Sequence, residues 1–135
     1  MGQKIGIDTP ILIYVLEKNP QYIERAREFM RRVQCGEYHA IFSGIGLIEI
    51  LTGPKKQGQY ELAARYREII THFPNLTIRG INENIIDIAS DVRAKYGIAT
   101  PDAIHLATAI DSGATKFITN DTGLRKIKEI AVELL

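Results

Sequence analysis

Short apolar runs alternate along this chain with longer segments whose apolar residues recur at helical spacing. The apolar runs predict strands at about residues 4–8, 39–42, 76–78, 116–119 and 131–134. The longer segments predict helices at about residues 10–17, 21–35, 58–73, 82–96, 101–112 and 122–128, with a further helix after Ser43. Strands that alternate with helices predict an α/β fold, with a central parallel sheet of four to five strands flanked by helices.

Capping and turn residues support these boundaries. Thr9 is expected to cap the first helix, and Thr100 is expected to cap the helix that begins at Pro101. Asn82 should begin the helix that Gly97 ends. The stretch at residues 53–58, GPKKQG, is predicted to be a loop between two helices.

Four acidic residues lie where such a sheet presents side chains to a ligand. Asp8 ends the first strand, Asp121 follows the fourth, Glu49 lies inside an apolar stretch and Asp102 opens a helix. Ligands of parallel sheets bind at the carboxyl ends of the strands, so Asp8 and Asp121 should lie along one edge. Buried carboxylates are costly unless their charge is compensated, and a shared divalent cation is the simplest compensation. The pattern favours a metal-dependent site that cuts phosphodiesters.

Each acid also has an ordinary structural interpretation. Asp8 could cap a helix, although Thr9 is available for that role. Glu49 could pair with a cation or face solvent, and Asp102 is a standard acid of a first helical turn. Asp121 could belong to a turn at residues 120–123. The metal hypothesis depends on the four acids occurring together on one predicted architecture.

Composition narrows the function classes only slightly. The chain has 135 residues, enough for one domain with a core, and its apolar and charged fractions of 45% and 24% are ordinary. A net charge of +1 does not by itself indicate nucleic-acid binding. The single cysteine, Cys35, excludes an intramolecular disulfide, and no Cys-His zinc spacing occurs. Without a signal peptide or membrane span in the sequence, we expect a cytoplasmic protein with no membrane contact.

Two further patterns lie near the acids. The pairs Lys55-Lys56 and Arg125-Lys126 follow Glu49 and Asp121 and could flank the site, where they would neutralise phosphates. His105 lies one helical turn after Asp102, so it could ligate a metal or act as a base. No second histidine has suitable spacing, and a structural role for His105 is therefore favoured.

Four segments in this order resemble the PIN-domain family, and within it the VapC-type toxins of bacterial and archaeal toxin–antitoxin pairs. They span nearly the whole chain, so residues 1–135 are expected to form one PIN domain. The segments are IGIDT at residues 5–9, S and LIEIL at 43 and 47–51, TPDAIHLATA at 100–109, and FITND at 117–121.

The resemblance implies an Mg²⁺- or Mn²⁺-dependent ribonuclease. Thr9 would be an accessory polar group, with Asn120 a weaker one. Pro10 stands where the family commonly has Ser or Asn, and Gly44 and Gly46 are expected to loosen the helix of the acidic residue that follows them. The acids that the resemblance assigns to catalysis and metal binding are Asp8, Glu49, Asp102 and Asp121.

The resemblance also implies partners: an RNA substrate, a cognate antitoxin protein and a second copy of the chain in a homodimer. Two alternatives stay open. One is a PIN-type RNA-processing nuclease without a toxin role, and the other is a catalytically silent module that binds RNA or protein. A phosphate-transfer fold with Asp8 as nucleophile is weaker, because the second Asp that such a site usually needs is absent.

Overall fold

The structure is a computed structural model, and it describes residues 2–135. The five strands are β1 (Gln3–Ile7), β2 (Tyr38–Ser43), β3 (Leu76–Arg79), β4 (Lys116–Thr119) and β5 (Ala131–Leu134). The α-helices of the described residues are α1 (Thr9–Leu16), α2 (Ile23–Gln34), α3 (Gly44–Lys56), α4 (Tyr60–Thr71), α5 (Glu83–Tyr96) and α6 (Thr100–Asp111). A short 3-10 helix, Thr122–Lys126, stands where the sequence predicted a helix at 122–128.

All five strands form one parallel sheet in the order β3-β2-β1-β4-β5. The first strand of the chain is therefore the central one. Ile7 at the end of β1 pairs with Ile118 near the end of β4, so the residues that follow these two strands emerge at the same edge of the sheet. The predicted α/β domain with a central parallel sheet is confirmed.

Two buried apolar clusters cover the sheet. One joins Ile5, Ile7 and Phe42 to side chains of α1 and α2, and the other packs Phe117 against α5 and α6. A parallel sheet requires such cover on both faces, which is why its strands are rich in apolar residues. Within residues 2–135, no helix has both the length and the apolar character needed to cross a bilayer.

Helix α1 begins one residue earlier than predicted, because Asp8 and not Thr9 is its N-cap. Asp8 has an extended backbone, and its side chain accepts a hydrogen bond from the Thr9 N–H. Thr9 is already helical, so its hydroxyl group is free to contact other elements. The prediction that Thr9 caps this helix was wrong. The Asp8 carboxylate caps the helix and is also the one expected to belong to the site.

The start of α6 differs in the same way. Ala99 occupies the N-cap position without a side-chain hydrogen bond, and the first helical bond runs from the Ala103 N–H to the Ala99 carbonyl. Thr100 lies inside the helix and was wrongly predicted to cap it. The predictions for α5 are confirmed, since Asn82 caps it and Gly97 ends it in the left-handed conformation with φ of 69°.

Helix α3 extends through much of the predicted loop at residues 53–58. It continues to Lys56, and only residues 57–59 connect it to α4. Pro54 is buried inside the helix. The residue before a proline is normally pushed out of helical geometry by its own Cβ, but Gly53 has none. The two glycines at 44 and 46 do not interrupt the helix either.

Candidate active site

Asp8 lies at the carboxyl end of the central strand and is only 6% exposed. Its Oδ1 accepts the Thr9 N–H at 2.9 Å, and its Oδ2 accepts the Thr119 hydroxyl at 2.6 Å. Burial raises the pKa of the Asp8 carboxyl, against the lowering effect of the hydrogen bond from Thr119. An ionised carboxylate has about four acceptor positions, so the two hydrogen bonds leave Asp8 capacity to ligate a cation.

Asp102 is half-buried in the first turn of α6, close enough to Asp8 for the charge of Asp8 to act on its carboxyl group. Burial raises the pKa of its carboxyl, and the negative charges of Asp8, Asp121 and Glu49 raise it further. Three other carboxylates therefore act on this one group, although they come from three different segments. The structure brings the four acids that the sequence singled out to one edge of the sheet.

Asp121 follows β4 and is exposed. Its Oδ1 accepts the Gly123 N–H at 2.8 Å, which starts the 3-10 helix, and its own N–H donates to the Thr119 hydroxyl oxygen at 3.0 Å. Thr119 is fully buried and contacts both Asp8 and the Asp121 backbone. As the last residue of β4, Thr119 lies beside the end of the central strand and joins the two acids.

Glu49 lies on α3 and forms a compact group with two buried residues. Its Oε1 accepts the Thr9 hydroxyl at 2.8 Å and lies 2.7 Å from His105 Nε2. The Thr9 oxygen is 3.0 Å from the same ring nitrogen. Thr9 and His105 are 2% and 3% exposed. The sequence favoured a structural role for His105, whereas the structure places its ring against one of the four acids.

Asn120, a predicted accessory residue, makes a different contact. Its Oδ1 accepts the N–H of Leu135 at 3.1 Å, and its buried Nδ2 has no hydrogen-bond partner among residues 2–135. The amide oxygen therefore tethers the end of β5. Thr9, the other predicted accessory residue, does lie beside an acid, through its bond to Glu49.

The donor chemistry of the site fits a hard divalent cation. Within residues 2–135, no three His, Cys, Asp or Glu side chains are placed so that together they could hold a metal ion. Mg²⁺ usually keeps several waters and is held by only one or two carboxylates, which is a demand that Asp8 and its neighbours can meet. The negative charge that raises the pKa of Asp102 would be compensated by such an ion.

Comparison with known proteins gives the family. The sequence model of the PIN-domain family matches residues 5–130. The chain belongs to the PIN-domain family. PIN domains are nucleases, and they generally use divalent metal ions. No curated protein matches this PIN domain in sequence.

Solved structures with a similar fold include toxin–antitoxin complexes. VapBC2 from Rickettsia felis, bound to a promoter DNA fragment, matches with a TM-score of 0.76 and 19% identity, and 98% of each chain is covered. DNA-bound VapBC from Salmonella typhimurium matches with a TM-score of 0.76 and 19% identity, and 99% of this PIN domain and 98% of that chain are covered. A toxin–antitoxin complex from Klebsiella pneumoniae matches with a TM-score of 0.70 and 25% identity, and 96% of each chain is covered.

Proposed function

We propose that this PIN domain is a metal-dependent endoribonuclease and the toxin of a VapBC-type toxin–antitoxin pair. The observation that carries the proposal is the convergence of four carboxylates at the carboxyl ends of β1 and β4. Asp8 is buried there, and the charges of the other three acids contribute to raising the pKa of Asp102. The fold shared with solved VapBC complexes supports the toxin role.

The proposed roles of the four acids follow from their burial. Asp8 is buried and its carboxylate is held by the Thr119 hydroxyl, so it is suited to bind Mg²⁺ or Mn²⁺ directly. Asp102 and Asp121 would hold the ion directly or through water, and Glu49 would ligate it or position a water molecule. The bound ion would polarise the scissile phosphate and lower the pKa of a water molecule.

The surroundings suit a polyanionic substrate. Asp121 is exposed and the Glu49 side chain is 41% exposed, so the acids open to solvent along the edge of the sheet. Lys55 and Lys56 are exposed about two turns beyond Glu49 on α3, roughly 9 Å along the helix axis. Arg125 and Lys126 are exposed in the 3-10 helix after Asp121. Cations on both sides of the acids would bind the RNA backbone.

Exposed apolar side chains support the proposed protein partners, an antitoxin and a second copy of the chain. Ile48, beside Glu49 on α3, is 65% exposed, and Ile86 on α5 is 56% exposed. Ile86 lines a groove of about 290 Å³ with Ile81 and Ile104. Contiguous apolar surface of this kind commonly marks a protein contact. Light scattering of the purified protein, alone and with the antitoxin, tests both assemblies.

The decisive experiment is cleavage of an RNA pool by antitoxin-free protein in Mg²⁺, in Mn²⁺ and in EDTA. Asp8→Asn keeps the size of the side chain and should abolish metal-dependent cutting. Asp91→Asn, the same change at an exposed position of α5, is the matched control and should cut at the parent rate. Cleavage by Asp8→Asn at the parent rate would remove the basis of the assignment.

The toxin role needs its own test. Induction of the protein alone should arrest growth, and co-expression of a small protein encoded immediately upstream should restore it. Cleavage in vitro without growth arrest would favour an RNA-processing nuclease. Metal-independent RNA binding without cleavage would favour a silent binding module.

A further inference from the structure

His105 is the one buried histidine of the site, and its ring nitrogen contacts Glu49. The ring is 3% exposed, yet its Nε2 lies 2.7 Å from the Oε1 of a side chain that is 41% exposed. The imidazole therefore reaches from the core of α6 to the surface edge where the acids lie. The ring of Phe42 stacks on it, with centroids 5.9 Å apart and an interplanar angle of 24°, which restricts its rotation.

The Nε2 atom of this ring contacts the Glu49 carboxylate and the Thr9 hydroxyl. A carboxylate only accepts hydrogen bonds, so a bond between Nε2 and Glu49 requires the ring proton to be on Nε2. The other ring nitrogen, Nδ1, is buried and has no partner among residues 2–135. A side chain that served only to fill this part of the core would be better apolar, because the unpaired nitrogen carries a desolvation cost.

Thr9 donates to the same carboxylate oxygen as His105. Its hydroxyl is 2.8 Å from Glu49 Oε1 and 3.0 Å from the histidine nitrogen, so the three groups form a closed triangle. Both donors use Oε1, and within residues 2–135 no hydrogen bond falls on Oε2. One oxygen of Glu49 is thus fixed to the core, while the other is left for an external ligand.

We infer that His105 is a positioning residue: together with Thr9 it fixes the Glu49 carboxylate so that Oε2 is presented to the bound cation or to one of its waters. The inference rests on the proposed function, and it adds a residue that touches neither metal nor RNA. Groups that orient metal ligands commonly change metal affinity by about ten- to a hundredfold when they are removed.

The test is isothermal titration of metal-free protein with Mn²⁺, comparing His105→Gln with His105→Asn. The amide nitrogen of Gln can take the place of Nε2 and donate to Glu49, whereas the amide of Asn stops near the position of Nδ1. We expect the Gln variant to bind Mn²⁺ within a few-fold of the parent and the Asn variant to bind about ten- to a hundredfold more weakly. Thr108→Val, which removes a buried hydroxyl of the same helix that bonds only the backbone, should bind like the parent.

A second pair covers the case in which the changes at His105 impair folding. Thr9→Ser keeps the hydroxyl that donates to Glu49, and Thr9→Val removes it. The serine variant should keep the parent affinity and the valine variant should lose it. Urea unfolding in EDTA, measured on every variant, ensures that only folded proteins are compared.

The outcomes separate the inference from the proposed function. If the Gln and Asn variants bind Mn²⁺ equally well, and the Ser and Val variants also do, the positioning role is overturned. The metal site itself would still be supported if the parent binds Mn²⁺ and Asp8→Asn abolishes that binding. A folded parent that binds no Mn²⁺ would overturn both.

Discussion

Gly46 tests how α3 places Glu49, because the helix packs at this residue directly against the Phe42 ring of β2. A Cβ on Gly46 would lie 2.0 Å from Cζ of Phe42 and 2.5 Å from its Cε1. Real carbon atoms do not approach so closely, and the ring of Phe42 is fully buried on β2. The change Gly46→Ala must therefore displace either the Phe42 ring or the helix.

Two opposing effects set the magnitude. Alanine is favoured over glycine in a helix interior by about 1 kcal/mol. Overpacking a core costs about 3 kcal/mol at the upper end of its usual range, which applies here because the Phe42 ring is fully buried and stacks on His105. We expect the free energy of unfolding to fall by about 2 kcal/mol, the difference between these two values.

Urea unfolding in EDTA measures this change. The matched control is Gly44→Ala on the same helix, whose Cβ would meet only the Arg79 carbonyl at 3.4 Å, an ordinary contact. That variant should keep the parent stability or gain up to about 1 kcal/mol. Because Gly46 lies one turn before Glu49, its alanine variant should also bind Mn²⁺ more weakly. Equal stability of the two variants would refute the packing argument.

Two further predictions concern charge and helix ends. Burial raises the folded pKa of Asp8 above its ordinary value of 3.8, so the folded protein holds more protons than the unfolded chain between those two pKa values. The contribution of Asp8 to stability in EDTA should therefore be fully present below its unfolded pKa, fall as pH rises through this window and then level off. Asp8→Asn should flatten the profile and be the more stable protein at neutral pH, and a variant profile as steep as the parent's would contradict this. Asn82→Ala removes the cap bond to the Ile85 N–H and should cost about 1 kcal/mol in urea unfolding; an unchanged midpoint would show that the cap is not needed.

The sequence predicts the elements well where a local signal is sufficient. Asn82 and Gly97 bound α5 as expected, because a cap and a left-handed glycine act on their own backbone. The parallel sheet follows from the alternation of apolar strands with amphipathic helices. Asp8 and Asp121 could be placed on one edge because strand ends of a parallel sheet coincide.

Residues were predicted wrongly where a tertiary contact overrides the local signal. Pro54 reads as a loop residue, but it is buried in a helix. Thr9 reads as a cap, but its hydroxyl contacts Glu49 from a segment 40 residues away. The contacts of Thr119 and His105 with the acids follow only from the tertiary structure, once α3, α6 and β4 have been placed around β1.

The central position of β1 has a consequence for synthesis of the chain. Asp8 leaves the ribosome well before Thr119, which holds its carboxylate and comes 111 residues later. At about 5–20 residues per second, roughly 5–20 s separate the two. A nascent chain that ends before β4 has neither the strand that pairs with β1 on that side nor the acid that follows it. Under the proposed function, the metal site would therefore be incomplete until Thr119 and Asp121 have been translated.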